Sequence, residues 1–147
     1  MPSELPAALR AVADTNVVIA GLLWRGTPRK LLDAVRAGQI SLYTSAALLA
    51  ELIEVLPRAK FAKRVAAAQM SIERLARRYA RLARRITPAD IKPTVLSDID
   101  DDAVIACALA ARADLIVSGD KRLRNIKTYQ GIPIVSPADA LKRLSQR

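Results

Sequence analysis

The sequence predicts an α/β domain of three layers, α/β/α, with a central parallel sheet of four to five strands. Three observations carry this. Short apolar runs end in a charged or turn-forming residue, as buried parallel strands do. Longer stretches with helical spacing, opened and closed by helix start and stop residues, lie between them. The two kinds follow one another in the order β, α, α, β, α, α, α, β, α, β, α, the pattern a parallel sheet with crossover helices requires.

Arg10 to Asp14 (RAVAD) reads as the first strand, with its aspartate where the chain leaves the sheet. The following TNVVIAGLLWRG turns into a short helix that Gly26 interrupts. Thr27-Pro28 restarts a helix, threonine as cap and proline at the first helical position, and Gly38 stops it after Ala37. Ile40 to Tyr43 is the second strand; Thr44-Ser45 can cap a helix from Ala46 to Leu56, closed by Pro57. A basic stretch then runs from Arg58 to Arg85, and Thr87 to Leu96, with Pro88 and Pro93, reads as a loop. The alanine-rich segment Asp102 to Ala111 forms a helix leading into the strand Leu115 to Val117, which ends at Ser118-Gly119-Asp120. A short helix and turn follow. Ile132 to Val135 is the last strand, expected at a sheet edge because Pro133 lacks a ladder donor. Ser136-Pro137 caps a final helix, Ala138 to Leu144.

Composition excludes several chemistries. At 147 residues and 52% apolar content the chain is long enough for one domain with a real core. With no histidine and one cysteine, Cys107, it has no Ser-His-Asp or Cys-His triad, no disulfide and no thiolate or imidazole zinc site. Carboxylates, hydroxyls, basic side chains or a metal held by oxygen must carry any catalysis, and such ligands suit Mg²⁺ or Mn²⁺. The longest candidate membrane segment, Val12 to Trp24, is interrupted by Asp14 and Asn16 and is too short to span, so a cytoplasmic location and no membrane partner are expected.

A net charge of +10 and a pI near 10.5 point to a polyanionic partner, nucleic acid first. The excess concentrates between Arg58 and Arg85, where ten basic residues face one acidic residue, Glu73. Leu75, Tyr79 and Leu82 recur at helical spacing while Arg74, Arg77, Arg78, Arg81 and Arg85 line another face, which can follow a phosphate backbone or dock on an acidic protein.

The acidic residues are placed by the fold. Asp14 and Asp120 each sit at the carboxyl end of a predicted parallel strand, the edge on which α/β sheets build their sites. Asp102 lies near the start of the helix that returns to the Asp120 strand, crowded by Asp98, Asp100 and Asp101, and a carboxylate there is favoured by the helix dipole alone. Glu51 falls on the apolar face of the helix after the second strand, flanked by Leu48 and Val55, with Glu54 as its exposed counterpart. Singly, each can be a cap or a turn residue. Jointly they form a cluster whose mutual repulsion a divalent cation relieves, next to basic residues suited to a phosphodiester.

These stretches resemble the PIN-domain ribonucleases, specifically the VapC-like toxins of bacterial toxin–antitoxin pairs. The resemblance rests on the first strand running into DTNVVIAGLLWRG, on the residues ELIEVLPRAKF around Glu51, and on DDDAVIACALAARADLIVSGDKRL from Asp100. It covers roughly Arg10 to Leu144 of a chain expected to be a single domain over 1–147. It implies catalytic roles for Asp14, Glu51, Asp102 and Asp120, with Asp14, Asp102 and Asp120 on the metal, Asn16 supporting the loop and Ser118 holding a water or carboxylate. The implied activity is Mg²⁺- or Mn²⁺-dependent endonucleolytic cleavage of RNA, by a homodimer inhibited by a cognate antitoxin.

Two other readings compete. A non-catalytic nucleic-acid-binding module would use the Arg74 to Arg85 face and would keep its binding without metal. A phosphoacceptor receiver domain needs an acidic pair after the first strand and an aspartate near mid-chain. Here the first strand ends Asp-Thr-Asn and no aspartate lies between Asp33 and Asp90, so that reading fails. RNA and DNA are not separated by these residues, since discrimination depends on 2′-OH contacts.

Overall fold

A computed structural model describes residues 7–90 and 99–146, with side chains after the gap described from Asp102 onward. Asp98 and most of the expected loop 87–96 lie outside the described residues, as do the side chains of Asp100 and Asp101. The predicted α/β class is the observed one. Among the described residues six strands form a mostly parallel sheet: β1 (Leu9–Ala13), β2 (Ile40–Thr44), β3 (Arg84–Arg85), β4 (Leu115–Val117), β5 (Thr128–Tyr129) and β6 (Ile132–Val135). Their spatial order is β3-β2-β1-β4-β6-β5, and among the described residues only the β5–β6 pair is antiparallel.

β1 is at the centre because it is apolar on both sides. Leu9, Ala11 and Ala13 point into one core cluster and Val12 into the other, the period-two alternation of a strand covered on both faces. Ala11 pairs with Leu42 of β2 and Leu115 of β4. The first cluster is completed by α1 (Thr15–Leu23), α2 (Thr27–Arg36), α3 (Ala46–Val55), α5 (Ile72–Leu82) and α8 (Pro137–Ser145). The second is closed mainly by α6 (Ile99–Ala111) and α7 (Lys121–Asn125). In α6, Val104 to Ala108 are all buried, so this alanine-rich face is core. Fully buried side chains such as Ile105 and Leu75 each contribute about 1.5–3 kcal/mol of transfer free energy. Among the described residues, no helix is long and apolar enough to cross a membrane.

The caps explain several boundaries. Ser45 Oγ accepts from Leu48 N at 3.3 Å and Ser136 Oγ accepts from Asp139 N at 3.1 Å, starting α3 and α8 where expected. Gly38, at φ +79°, ends the α2 turn in a conformation that favours glycine. Between α1 and α2, Gly21 lets the helices approach: a Cβ there would lie 2.8 Å from Leu32 Cδ1 and 3.0 Å from the Pro28 carbonyl oxygen.

Some expectations are corrected. The cap of α2 is Gly26 rather than Thr27, which is the first helical residue and makes no capping bond. α6 begins at Ile99, earlier than Asp102, so Asp102 lies within its first turn. An unexpected short helix, α4 (Ala62–Ala68), follows a 3-10 turn at Ala59–Phe61. β6 is not the sheet edge: although Pro133 has no N–H, Ile134 N still donates to Lys127 O at 2.8 Å, and β5 pairs outside it. Arg85 is not on the basic helix. α5 ends at Leu82 with Ala83 N capping Tyr79 O at 3.0 Å, and the now extended chain pairs Arg85 with Thr44 at the edge of β2.

Candidate active site

Where β1 ends, Asp14 leaves the sheet and starts α1. Its backbone N–H still donates to Val117 O of β4 at 3.0 Å, while its Oδ1 accepts from Val17 N at 2.9 Å as the helix cap. The carboxylate is therefore held at the junction of two neighbouring parallel strands. Its other oxygen, Oδ2, accepts a hydrogen bond from Ser118 Oγ, one residue past β4. Ser118 is fully buried, and its Oγ also accepts from Asp120 N at 2.9 Å. One hydroxyl thus ties the two strand-end aspartates together. Ser118, to which the resemblance gave a water or a carboxylate to hold, donates its hydroxyl to the Asp14 carboxylate.

Asp120 caps α7, its Oδ1 accepting from Arg122 N at 2.8 Å and its Oδ2 from the Arg122 guanidinium at 3.3 Å. Asp14, Asn16, Glu51 and Asp120 line one cleft of about 210 Å³, together with Arg58, Lys60 and Arg122. Glu51 reaches it from α3 and is half-buried, whereas Glu54 is exposed, as its helical position requires. Asp102 is half-buried on the first turn of α6, two residues before Val104, which lines the cleft; Asp102 itself is not among the lining residues. Arg74, Arg77, Arg78 and Arg81 are exposed and line a separate cleft with Met70.

Arg58, Lys60 and Arg122 had no assigned place in the sequence reading. Two of them belong to the basic stretch from Arg58 to Arg85 but lie outside its helical face, which begins at Arg74. The 3-10 turn and α4 lie between the start of that stretch and α5, so Arg58 and Lys60 reach the acidic cleft while the α5 arginines line another. Arg122 stands two residues after Asp120, the spacing at which a capping aspartate meets its own first turn.

The electrostatics turn on Asp14. It is 7% exposed, and burial pushes its carboxyl above the ordinary 3.8. Hydrogen bonds from Ser118, Val17 and Gly119 oppose this rise, while the negative charge of Asp120 adds to it. An ionised, buried carboxylate beside a second carboxylate calls for a cation, and the oxygen-only donors of this cleft suit a hard divalent ion. In donor chemistry the residues fit Mg²⁺ or Mn²⁺. Among the described residues no three acidic, cysteine or histidine groups are close enough together to form a closed ligand set.

A sequence profile of the PIN domain matches residues 10–122, from the start of β1 through the first turn of α7. No curated protein matches the chain. The matched region contains every residue that lines the acidic cleft, and over it this chain belongs to the PIN-domain family, a family of nuclease domains.

Proposed function

We propose that the protein is a metal-dependent endoribonuclease whose acidic residues Asp14, Glu51, Asp102 and Asp120 direct hydrolysis of RNA phosphodiester bonds. The observation that carries this is the Asp14–Ser118–Asp120 node, which opens into a cleft shared with Glu51 and rimmed by Arg58, Lys60 and Arg122. Asp14 and Asp120, which face the cleft, would hold Mg²⁺ or Mn²⁺, and the ion would supply Lewis-acid polarisation of the phosphoryl group and acidify water. The chain's own contribution is placement and charge. Ser118 fixes the rotamer of Asp14, and Asn16, at the exposed start of α1, supports the loop beside it. Arg58 and Lys60 attract the anionic backbone and offset its repulsion by the carboxylates.

Within that activity we assign the chain to the toxin of a toxin–antitoxin pair, acting in the cytoplasm as a homodimer and inhibited by a cognate antitoxin. Support comes from the Asp14-Thr15-Asn16 strand end, the Asp102-Ala-Val-Ile-Ala helix start and Ser118-Gly119-Asp120, which resemble VapC-like chains, with Ser118 where those often have threonine.

Incubation of a mixed RNA pool with the purified protein in Mg²⁺, Mn²⁺ or EDTA, beside Asp14→Asn and a single-stranded DNA control, tests the activity. RNA cleavage that requires metal and falls at least a hundredfold in the variant is expected. RNA bound equally by both proteins and never cut would replace the enzyme by a binding module on the α5 arginines. Equal cutting of DNA would remove the RNA assignment.

A further inference from the structure

The basic residues outside the acidic cleft are connected to it. Lys60, at the rim, lies over the Phe61 ring with its Nζ 5.0 Å from the centroid. Phe61 meets Trp24 edge-on at 6.0 Å, and the Arg64 guanidinium covers the Trp24 ring at 5.3 Å. Trp24 and Arg64 line a second cleft of about 470 Å³ whose far wall includes Arg78. Arg78 also lines the third cleft, with Arg74, Arg77 and Arg81. The second and third clefts therefore share one wall residue, Arg78, and the contact chain Lys60–Phe61–Trp24–Arg64 joins the rim of the acidic cleft to the second.

Not every arginine here is available to a ligand. Arg29 also lines the second cleft, but its guanidinium donates to the Gly21 and Leu22 carbonyls at 2.6 and 3.1 Å, closing the end of α1. Lys60, Arg64, Arg74, Arg77, Arg78 and Arg81 are all exposed, and among the described residues none of them forms an ion pair. A row of like charges without counter-charges is unfavourable by itself and favourable only toward a polyanion. Arg74 to Arg81 alone extends roughly 10 Å along α5 at the helical rise, long enough for about two backbone phosphates.

We propose that these clefts form one track for a single RNA strand flanking the scissile bond, so that the substrate is an extended single strand gripped well away from the point of cutting. This rests on the nuclease reading of the acidic cleft and adds to it where the rest of the substrate lies. A strand can follow from cleft to cleft around the aromatic column. A duplex, stiff over about 150 base pairs, touches only the rims. Grip comes from phosphates along the track and carries no sequence preference.

The test compares wild-type protein with an Arg64→Gln/Arg78→Gln/Arg81→Gln variant, all three positions being exposed, with folding checked by thermal melting. For wild type, kcat/KM on single-stranded RNA should rise with length from 6 to about 12 nucleotides and then level off. In the variant the long-to-short ratio should fall at least tenfold. An unchanged ratio overturns the track. A second arm does not depend on cleavage: anisotropy of a labelled 30-mer in EDTA at several salt concentrations. Three lost phosphate contacts should reduce the slope of log K against log salt by about 2. If cutting fails in both proteins while the slope still drops, the enzyme reading falls and the track stands. An unchanged slope, or equal competition by a duplex of the same length or by polyglutamate, overturns the track itself.

Discussion

At the scale of single residues, Asp14 carries two duties with opposite demands. As the cap of α1 it serves equally well charged or neutral, since asparagine caps about as well as aspartate. As a buried carboxylate near Asp120 it is costly when ionised. Its folded pKa is raised, so its contribution to stability is complete below the unfolded value near 3.8 and is lost as pH rises through the higher folded value. Asp14→Asn has no such loss. In EDTA the variant should match wild type near pH 3.8 and melt several degrees higher at neutral pH. Mn²⁺ should raise the melting temperature of wild type but not of the variant. Parallel melting curves across that pH range in EDTA would show that Asp14 is not under this strain. Cys107 is a plainer case: burial pushes its thiol up to about 12, so it is an inert core side chain.

At the scale of elements, the sequence was most readable where the signal was local. The serine caps of α3 and α8, the Gly38 stop and the apolar runs of β1, β2, β4 and β6 all act within a few residues. β3 and β5 were not readable, because two residues show no periodicity and these strands exist only through the partner edge they extend. The same division holds at the site. Asp14 and Asp120 could be placed because strand ends are fixed by the fold class, and Glu51 because its apolar neighbours made its position unusual. The destinations of Arg58 and Lys60 depended on how tightly the chain turns after Pro57, which no pattern in the basic run expressed. One packing contact gives a sharp test of the α1–α2 arrangement. Gly21→Ala should cost about 1–3 kcal/mol, because its methyl meets the Pro28 carbonyl as well as a movable leucine. Chemical denaturation would measure it. A change below 0.5 kcal/mol would mean the two helices separate freely.

At the scale of the whole molecule, the sheet order places β4 in the middle although it comes from the last third of the chain. β1 pairs with β4 along Ala11, Val12 and Ala13, and both core clusters draw residues from β4. A fragment ending at residue 113 keeps Asp14 and Glu51 but should show no cooperative melting transition by circular dichroism, since β1 would expose an unpaired edge at the centre of the sheet. A cooperative transition in that fragment would show that the first three quarters of the chain fold alone.

The same long-range pairing sets a clock. Ser118 reaches back 104 residues to hold Asp14. With synthesis running at about 5–20 residues per second, those two side chains leave the ribosome roughly 5–20 s apart. On the nuclease reading, the growing chain holds its reactive groups apart for that interval, and the cutting site matures only once β4 and Ser118 have been made.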